Sequence, residues 1–67
     1  MNIGTRIKEL RHSMQISQQE LADKLGIDKS TIGKYETNAR IPEVKMLIQL
    51  AKFFEVSTDF LLGLSEY

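Results

Sequence analysis

The sequence predicts an all-α fold, a compact bundle of five short helices that forms one domain over residues 1–67. Three observations favour this fold. The length leaves room for only one small domain. One proline and four glycines interrupt the chain, and the stretches between them are rich in residues that favour helix. Apolar residues recur along these stretches at helical spacing, with no repeat or linker between them.

The first helix is predicted from about residue 3 to 14, because apolar residues recur there at steps of four, three and four. This stripe consists of Ile3, Ile7, Leu10 and Met14. Ser17 and Glu20 have the spacing of a capping box, which predicts that a second helix starts at Ser17. Gly26 tolerates positive φ, so we expect it to end that helix.

Asp28 is suited to capping a third helix, which continues through Glu36 to a loop over residues 37–41. Pro42 is predicted at the first position of a fourth helix, with Glu43 beside it at the positive end of the helix dipole. The predicted buried face of this helix is Val44, Leu47, Leu50, Ala51 and Phe54. Ser57 is predicted to cap a fifth helix from Thr58 to about Leu62, closed by Gly63.

Several function classes are disfavoured by composition. The chain has no cysteine and one histidine, which argues against a disulfide, a thiolate zinc site or any other metal cluster. We find no serine with a base beside it and no glycine-rich phosphate loop, so we predict no enzyme and no cofactor. The apolar runs are too short to span a membrane, and no secretory signal is evident at the start, so we expect a cytoplasmic protein without membrane contact.

Residues 18–37 carry the most informative pattern. Ala22 is small where two steeply crossing helices approach each other, and Gly26 supplies the left-handed turn between them. Five apolar residues anchor both helices and leave the outer face of the second one free: Leu21, Leu25, Ile27, Ile32 and Tyr35. The pattern is typical of a helix-turn-helix, whose second helix enters the roughly 12 Å wide major groove of B-DNA. The alternative is an ordinary helical hairpin in a small bundle.

The chain resembles the lambda-repressor-like helix-turn-helix domains, which include phage repressors, Cro proteins and the bacterial XRE regulators. The matching residues are Ile7, Leu10, Arg11, Ser17, Gln18, Gln19, Glu20, Leu21, Ala22, Gly26, Ile27, Ile32, Tyr35, Glu36, Pro42, Leu50, Ala51, Val56, Ser57, Leu61, Leu62 and Gly63. The resemblance implies a five-helix fold and a homodimer that binds a specific operator sequence in double-stranded DNA. It also implies that Gln18 braces the recognition helix and touches a phosphate, and that Arg11 and Glu36 form a structural ion pair.

The predicted base-reading surface is the outer side of helix three, opposite Ile32 and Tyr35. The candidates for base readout are Lys29, Ser30, Thr31, Gly33 and Lys34. The two lysines suit either guanine or phosphate. Gly33 is explained equally well by a close approach of DNA to the backbone or by drift at a tolerant site, and Thr31 by contact with a thymine methyl or by packing on helix two.

The predicted phosphate contacts lie at helix ends and in the following loop: Gln18, Thr37, Asn38, Arg40 and Lys45. Asn38 has a structural alternative, because Asn tolerates the left-handed conformation that ends a helix. The C-terminal region is too apolar for water alone, and its candidate dimer contacts are Phe53, Phe60, Leu62, Leu64 and Tyr67. Phe54 is expected to point into the core and its neighbour Phe53 outward. The alternative is a monomer with an apolar end.

Taken alone, the zero net charge argues against a nucleic-acid partner, because domains that bind DNA usually carry a basic surplus. Its distribution changes this interpretation. Residues 1–52 contain nine basic and six acidic residues, whereas residues 53–67 contain three acidic residues and no basic one. We expect Glu36 to be paired with Arg11, and Glu20 and Asp28 to be engaged at helix starts. The predicted function is a DNA-binding transcription regulator, by family analogy a repressor on a palindromic operator; the alternative is a protein-interaction module that retains the fold.

Overall fold

Five helices form the protein in a computed structural model that describes residues 2–66. They are α1 (Ile3–Ser13), α2 (Gln18–Leu25), α3 (Lys29–Glu36), α4 (Val44–Phe54) and α5 (Thr58–Leu61). The described range contains no strand. The predicted all-α fold with five helices is therefore confirmed.

The helix ends follow the capping chemistry at most of the expected positions. Ser17 and Glu20 form a complete capping box at the start of α2, and Gly26 ends that helix with φ 70°. Ser57 accepts a hydrogen bond from the Phe60 backbone N–H at 3.0 Å and so caps α5. The N-cap of α1, which the sequence analysis missed, is Asn2; its Oδ1 accepts from the Thr5 N–H at 3.1 Å.

Of two further expected helix starts, that of α3 is confirmed in position and that of α4 is wrong. Asp28 stands at the N-cap of α3, but its side chain makes no capping hydrogen bond. Pro42 is not the first residue of α4, because Glu43 is the N-cap with an extended backbone (φ −69°, ψ 167°) and the helix begins at Val44. Pro42 is buried, so the chain runs inward before it turns into the helix.

The core draws residues from all five helices. Its buried members are Ile3, Ile7, Leu21, Ala22, Ile32, Tyr35, Leu50, Ala51, Phe54 and Leu61. Apolar residues packed around them are only partly buried: Leu10, Ile16, Leu25, Ile27, Met46, Leu47, Phe53, Val56 and Leu62. Such a small core leaves few residues fully enclosed, which agrees with the limited burial that a short chain achieves.

Three side chains do not lie where the periodicity placed them. Met14 is 46% exposed and stands at the C-cap of α1, one residue beyond the end of the helix. Val44 is 72% exposed, since the first turn of α4 projects past the core, which that helix reaches only from Met46 onward. Phe53 does not point outward; it is half-buried, with its ring centroid 5.1 Å from that of Phe54 in an edge-on arrangement.

The first turn of α1 lies directly against the last turn of α3. Gly4 is buried there, and a Cβ at this position would collide with the backbone carbonyl oxygens of Tyr35 and Glu36 and with Oδ1 of Asn38. Only glycine therefore permits this approach between the two helices. The contact places the carboxyl end of α3 relative to α1.

Candidate nucleic-acid interface

The turn between α2 and α3 sets the orientation of α3. The Ile27 N–H donates to the carbonyl oxygen of Ala22 at 3.0 Å across the left-handed Gly26, and the Ala22 side chain is fully buried. On the other side of the turn, Ile32 and Tyr35 are buried in the core. The inner side of α3 is thereby fixed, and its opposite side faces solvent.

The five residues predicted for base readout lie on that outer side or at its edges. Lys29, Ser30 and Lys34 are exposed, and within residues 2–66 their side chains have no hydrogen-bond or ion-pair partner. Thr31 and Gly33 are half-buried. A Cβ built on Gly33 meets nothing within 4 Å, so the fold itself does not require glycine at this position.

A buried carboxylate at the end of α3 joins three helices. Glu36 Oε2 accepts from Arg11 Nε of α1 at 2.7 Å, and its Oε1 accepts from Arg11 Nη2 at 3.2 Å. The same Oε1 accepts from Gln18 Nε2 of α2 at 3.0 Å. The structure thus contains the Arg11–Glu36 ion pair, and it gives Gln18 a contact at the base of the recognition helix.

Opposing effects act on the Glu36 carboxyl. Burial raises its pKa, whereas the hydrogen bonds from Arg11 and Gln18, together with the positive charges of Arg11 and Lys8, lower it. The lowering effects win, so the pKa of Glu36 lies below its ordinary value and the group is ionised at neutral pH. The carboxylate therefore neutralises the charge of Arg11 within the fold. The pair contributes no net charge to the surface of the domain.

Arg11 also secures the turn before α2. Its Nη1 donates to the carbonyl oxygen of Ile16 at 2.9 Å, and its Nη2 lies 3.0 Å from His12 Nε2. One guanidinium therefore links α1, the α1–α2 turn and α3. Because α3 carries the candidate base-reading residues, Arg11 supports that surface without belonging to it.

The phosphate candidates after α3 lie on an exposed loop. Thr37 Oγ1 donates to the carbonyl oxygen of Lys34 at 3.3 Å. Asn38 adopts φ 63°, and its side chain is bonded to α1: Oδ1 accepts from the Gly4 N–H at 3.1 Å and Nδ2 donates to Asn2 Oδ1 at 2.9 Å. Arg40 is exposed. Lys45 is exposed in the first turn of α4.

The candidate dimer residues differ in how much surface they offer. The Arg6 guanidinium lies 4.1 Å from the ring centroid of half-buried Phe60, and Leu62 is also half-buried. Leu64 is 72% exposed, whereas Tyr67 lies outside the described residues. The sequence analysis missed a second exposed apolar group: Ile41, Val44 and Ile48. The periodicity placed Val44 on the buried face of α4, and it gave no signal for Ile41 or Ile48.

Residues 2–66 contain neither a helix that could cross a membrane nor a cluster of metal-ligand side chains. No helix there is long and apolar enough to cross a membrane. No group of three or more His, Cys, Asp or Glu residues in that range is arranged to hold a metal ion.

Comparison with known proteins places this arrangement in a family. A family model described as Helix-turn-helix matches residues 7–61. The HTH-type transcriptional regulator ImmR of Bacillus subtilis (strain 168) is 39% identical over 66 residues, which cover 98% of this chain and 52% of ImmR. The chain spans about half the length of the curated relatives it matches.

Two solved structures bound to DNA have the same fold. The P22 c2 repressor in complex with a synthetic operator superposes with a TM-score of 0.89 at 28% identity, covering 97% of this chain and 98% of that one. SinR, a master regulator for biofilm formation, in complex with DNA has a TM-score of 0.81 at 36% identity, covering 90% of this chain and 97% of SinR. The relatives and structural neighbours that match are XRE-type regulators and lambda-like repressors, not enzymes. The chain belongs to their family, the helix-turn-helix family of DNA-binding transcriptional regulators.

Proposed function

We propose that this chain is the DNA-binding unit of a transcription regulator and that it recognises one operator sequence by inserting α3 into the major groove. The observation that carries the proposal is the outer side of α3. Lys29, Ser30 and Lys34 project from a helix whose inner side is anchored in the core, and their side chains have no partner within residues 2–66. A rigid helix with unpaired donors on its free side is what direct base readout requires.

Each residue of this surface has a proposed role. The ammonium groups of Lys29 and Lys34 donate to O6 and N7 of guanine or to phosphate, and the Ser30 hydroxyl bonds a base edge or a phosphate. Thr31 presents its methyl group to a thymine methyl. Gly33 lets DNA approach the helix backbone, and this role is supported by the open space where a Cβ would stand.

Phosphate contacts are proposed to set the register of α3 on the duplex. Arg40 and Lys45 supply the charges, Thr37 is a polar group on the loop that contains Arg40, and Gln18 stands in the first turn of α2, where backbone N–H groups favour an anion. The acidic residues near this surface differ in whether their charge is already engaged within the fold. Glu36 is paired with Arg11 and Glu20 is bonded to the Ser17 N–H, whereas the Asp28 side chain makes no capping hydrogen bond at the start of α3.

The regulator is proposed to act as a homodimer on a palindromic operator. Two copies of α3 about 34 Å apart would meet successive major grooves on one face of the duplex. The apolar residues Phe53, Phe60, Leu62, Leu64 and Tyr67 are the proposed contacts. Repression by occupancy is supported by the fold shared with the P22 c2 repressor, which was solved with a synthetic operator.

A salt titration of duplex binding tests the proposal against the alternative of a protein-interaction module. The chain is mixed with a labelled pool of random duplexes at low salt, and bound DNA is measured as the salt concentration rises. We expect log K to fall steeply with log salt, since neutralised phosphates release counterions. Lack of binding to any duplex at low salt would favour the protein-interaction module.

A further inference from the structure

The carboxyl end of α3 is attached to α1 at two points. One is the ion pair between Arg11 and Glu36. The other joins Gly4 and Asn2 to Asn38, just beyond α3. Gly4 and Arg11 stand seven residues apart on α1, or roughly 10 Å along its axis. Two attachments at this separation fix the angle of the end of α3 relative to α1, which one attachment alone does not.

The second attachment is a small hydrogen-bond network. Asn38 Oδ1 accepts from the Gly4 N–H at 3.1 Å, and Asn38 Nδ2 donates to Asn2 Oδ1 at 2.9 Å. Asn2 Oδ1 also accepts from the Thr5 N–H at 3.1 Å. The Asn38 amide is thus used on both sides, with one N–H left over. The orientation of the Asn38 side chain is therefore set by Asn2 and Gly4, and only one N–H remains that could donate to a phosphate.

Asn38 also controls where the chain goes next. Its φ of 63° reverses the backbone at the end of α3. The N–H groups of Ala39 and Arg40 then donate to the carbonyl oxygen of Lys34, at 2.9 and 3.2 Å. Arg40 follows Asn38 by two residues, is exposed, and has no side-chain partner within residues 2–66. The direction of its guanidinium therefore depends on how the Asn38 turn is held.

We propose that Asn38 is a positioning residue, held by Asn2 and Gly4 of α1, that aims Arg40 at the DNA backbone and does not itself bind a phosphate. The amino end of α1 then contributes to DNA binding indirectly, by holding the loop that carries Arg40. This inference rests on the proposed DNA-binding function. Its consequence is specific: breaking the link between Asn2 and Asn38 weakens a charge contact made by a third residue.

The test uses two neutral substitutions and measures binding to a selected operator duplex as a function of salt. Asn38→Gly keeps the left-handed backbone but removes both side-chain bonds. Asn2→Ser keeps a capping oxygen for α1 but is too short to reach Asn38. We expect each to weaken binding about 3- to 10-fold, the range for one or two lost hydrogen bonds. We also expect the slope of log K against log salt to become shallower by about one.

The decisive comparison is to repeat the Asn38→Gly measurement in a protein that also carries Arg40→Ala. If Asn38 acts through Arg40, Asn38→Gly has no further effect on affinity or slope once Arg40 is absent. Gln19→Gly is the matched control: it is a neutral change on the exposed side of α2, where Gln19 is bonded to Asp23, and it weakens that helix. It should lower the melting temperature and leave the salt slope unchanged.

Two results would overturn the inference while the proposed function stands. Weaker binding by Asn38→Gly with an unchanged slope, and normal binding by Asn2→Ser, would show that the Asn38 amide contacts DNA directly. Wild-type affinity and slope in both variants would show that the link has no role in binding. Absence of duplex binding by the unmodified chain would instead refute the proposed function.

Discussion

The Arg11→Ala substitution is expected to remove most of the stability of this domain. The Arg11 side chain is 11% exposed and the Glu36 side chain 3%, so both charges are withdrawn from water. Truncation deletes the 2.7 Å bond to Glu36 Oε2, the 3.2 Å bond to Oε1 and the 2.9 Å bond to the Ile16 carbonyl. The Glu36 carboxylate then keeps one hydrogen bond, from Gln18 at 3.0 Å.

The expected cost follows from that geometry. Removing one partner of a buried ion pair typically costs about 3 to 5 kcal/mol, because the remaining charge stays desolvated. The remaining bond from Gln18 places this case near the lower end, about 3 kcal/mol. In a domain of this size 1 kcal/mol shifts the melting temperature by roughly 4 to 8 °C, so the expected shift is about 12 to 24 °C. A single small core supplies only about 3 to 5 kcal/mol, so the variant should be close to unfolded at 37 °C.

Thermal unfolding followed by circular dichroism measures this shift. Glu36→Gln in the Arg11→Ala background is the companion variant, because it removes the orphaned charge and should recover part of the lost stability. If Arg11→Ala melts within about 4 °C of the wild-type protein, the loss of stability is less than about 1 kcal/mol. That result would refute the account of the pair as a buried structural element.

Three other predictions concern packing, pH and assembly. Gly4→Ala should destabilise the domain by about 3 kcal/mol in urea unfolding, since its Cβ would meet backbone oxygens that have no room to move; a loss below about 1 kcal/mol would contradict the contact. The pKa of Glu36 is lowered by folding, so the free energy of unfolding should fall as pH drops below about 4.3, the ordinary glutamate value. The dependence of stability on pH should be weaker in Glu36→Gln, and an unchanged dependence would show that other groups cause the acid sensitivity. Leu64→Glu should shift a dimer to monomer in sedimentation, whereas Val44→Glu, an equally exposed apolar position at 72%, should not; the reverse result would place the interface at the amino end of α4.

Local chemistry predicted most of the helix boundaries. The capping box of Ser17 and Glu20, the positive φ of Gly26 and the Ser57 cap are encoded within four residues, so the sequence alone identifies them. The same local chemistry identifies Asn2 as a cap, which the sequence analysis overlooked. The role of Gly4 has no local signal. Its need for glycine arises from the backbone of α3, more than 30 residues away, and appears only once the two helices are packed.

The candidate site was predictable to a similar extent. The direction of α3 follows from the period of Ile32 and Tyr35, and the five base-readout candidates lie on the opposite side or at its edges, as exposed or half-buried residues. What the pattern did not predict is how the loop after α3 is held. The bonds of Asn38 to Asn2 and Gly4 depend on a tertiary contact between chain segments that periodicity treats separately.

In-vitro selection from a random duplex library, carried out with the unmodified chain and with Lys34→Ala, tests the central claim most directly. The account predicts that the unmodified chain enriches an inverted repeat whose half-site centres lie about one helical turn apart. It also predicts that Lys34→Ala retains the repeat but loses preference at one or two base positions in each half-site. An identical base preference from both proteins would assign Lys34 to a phosphate contact, and enrichment of no sequence would contradict the claim that the outer side of α3 reads the operator.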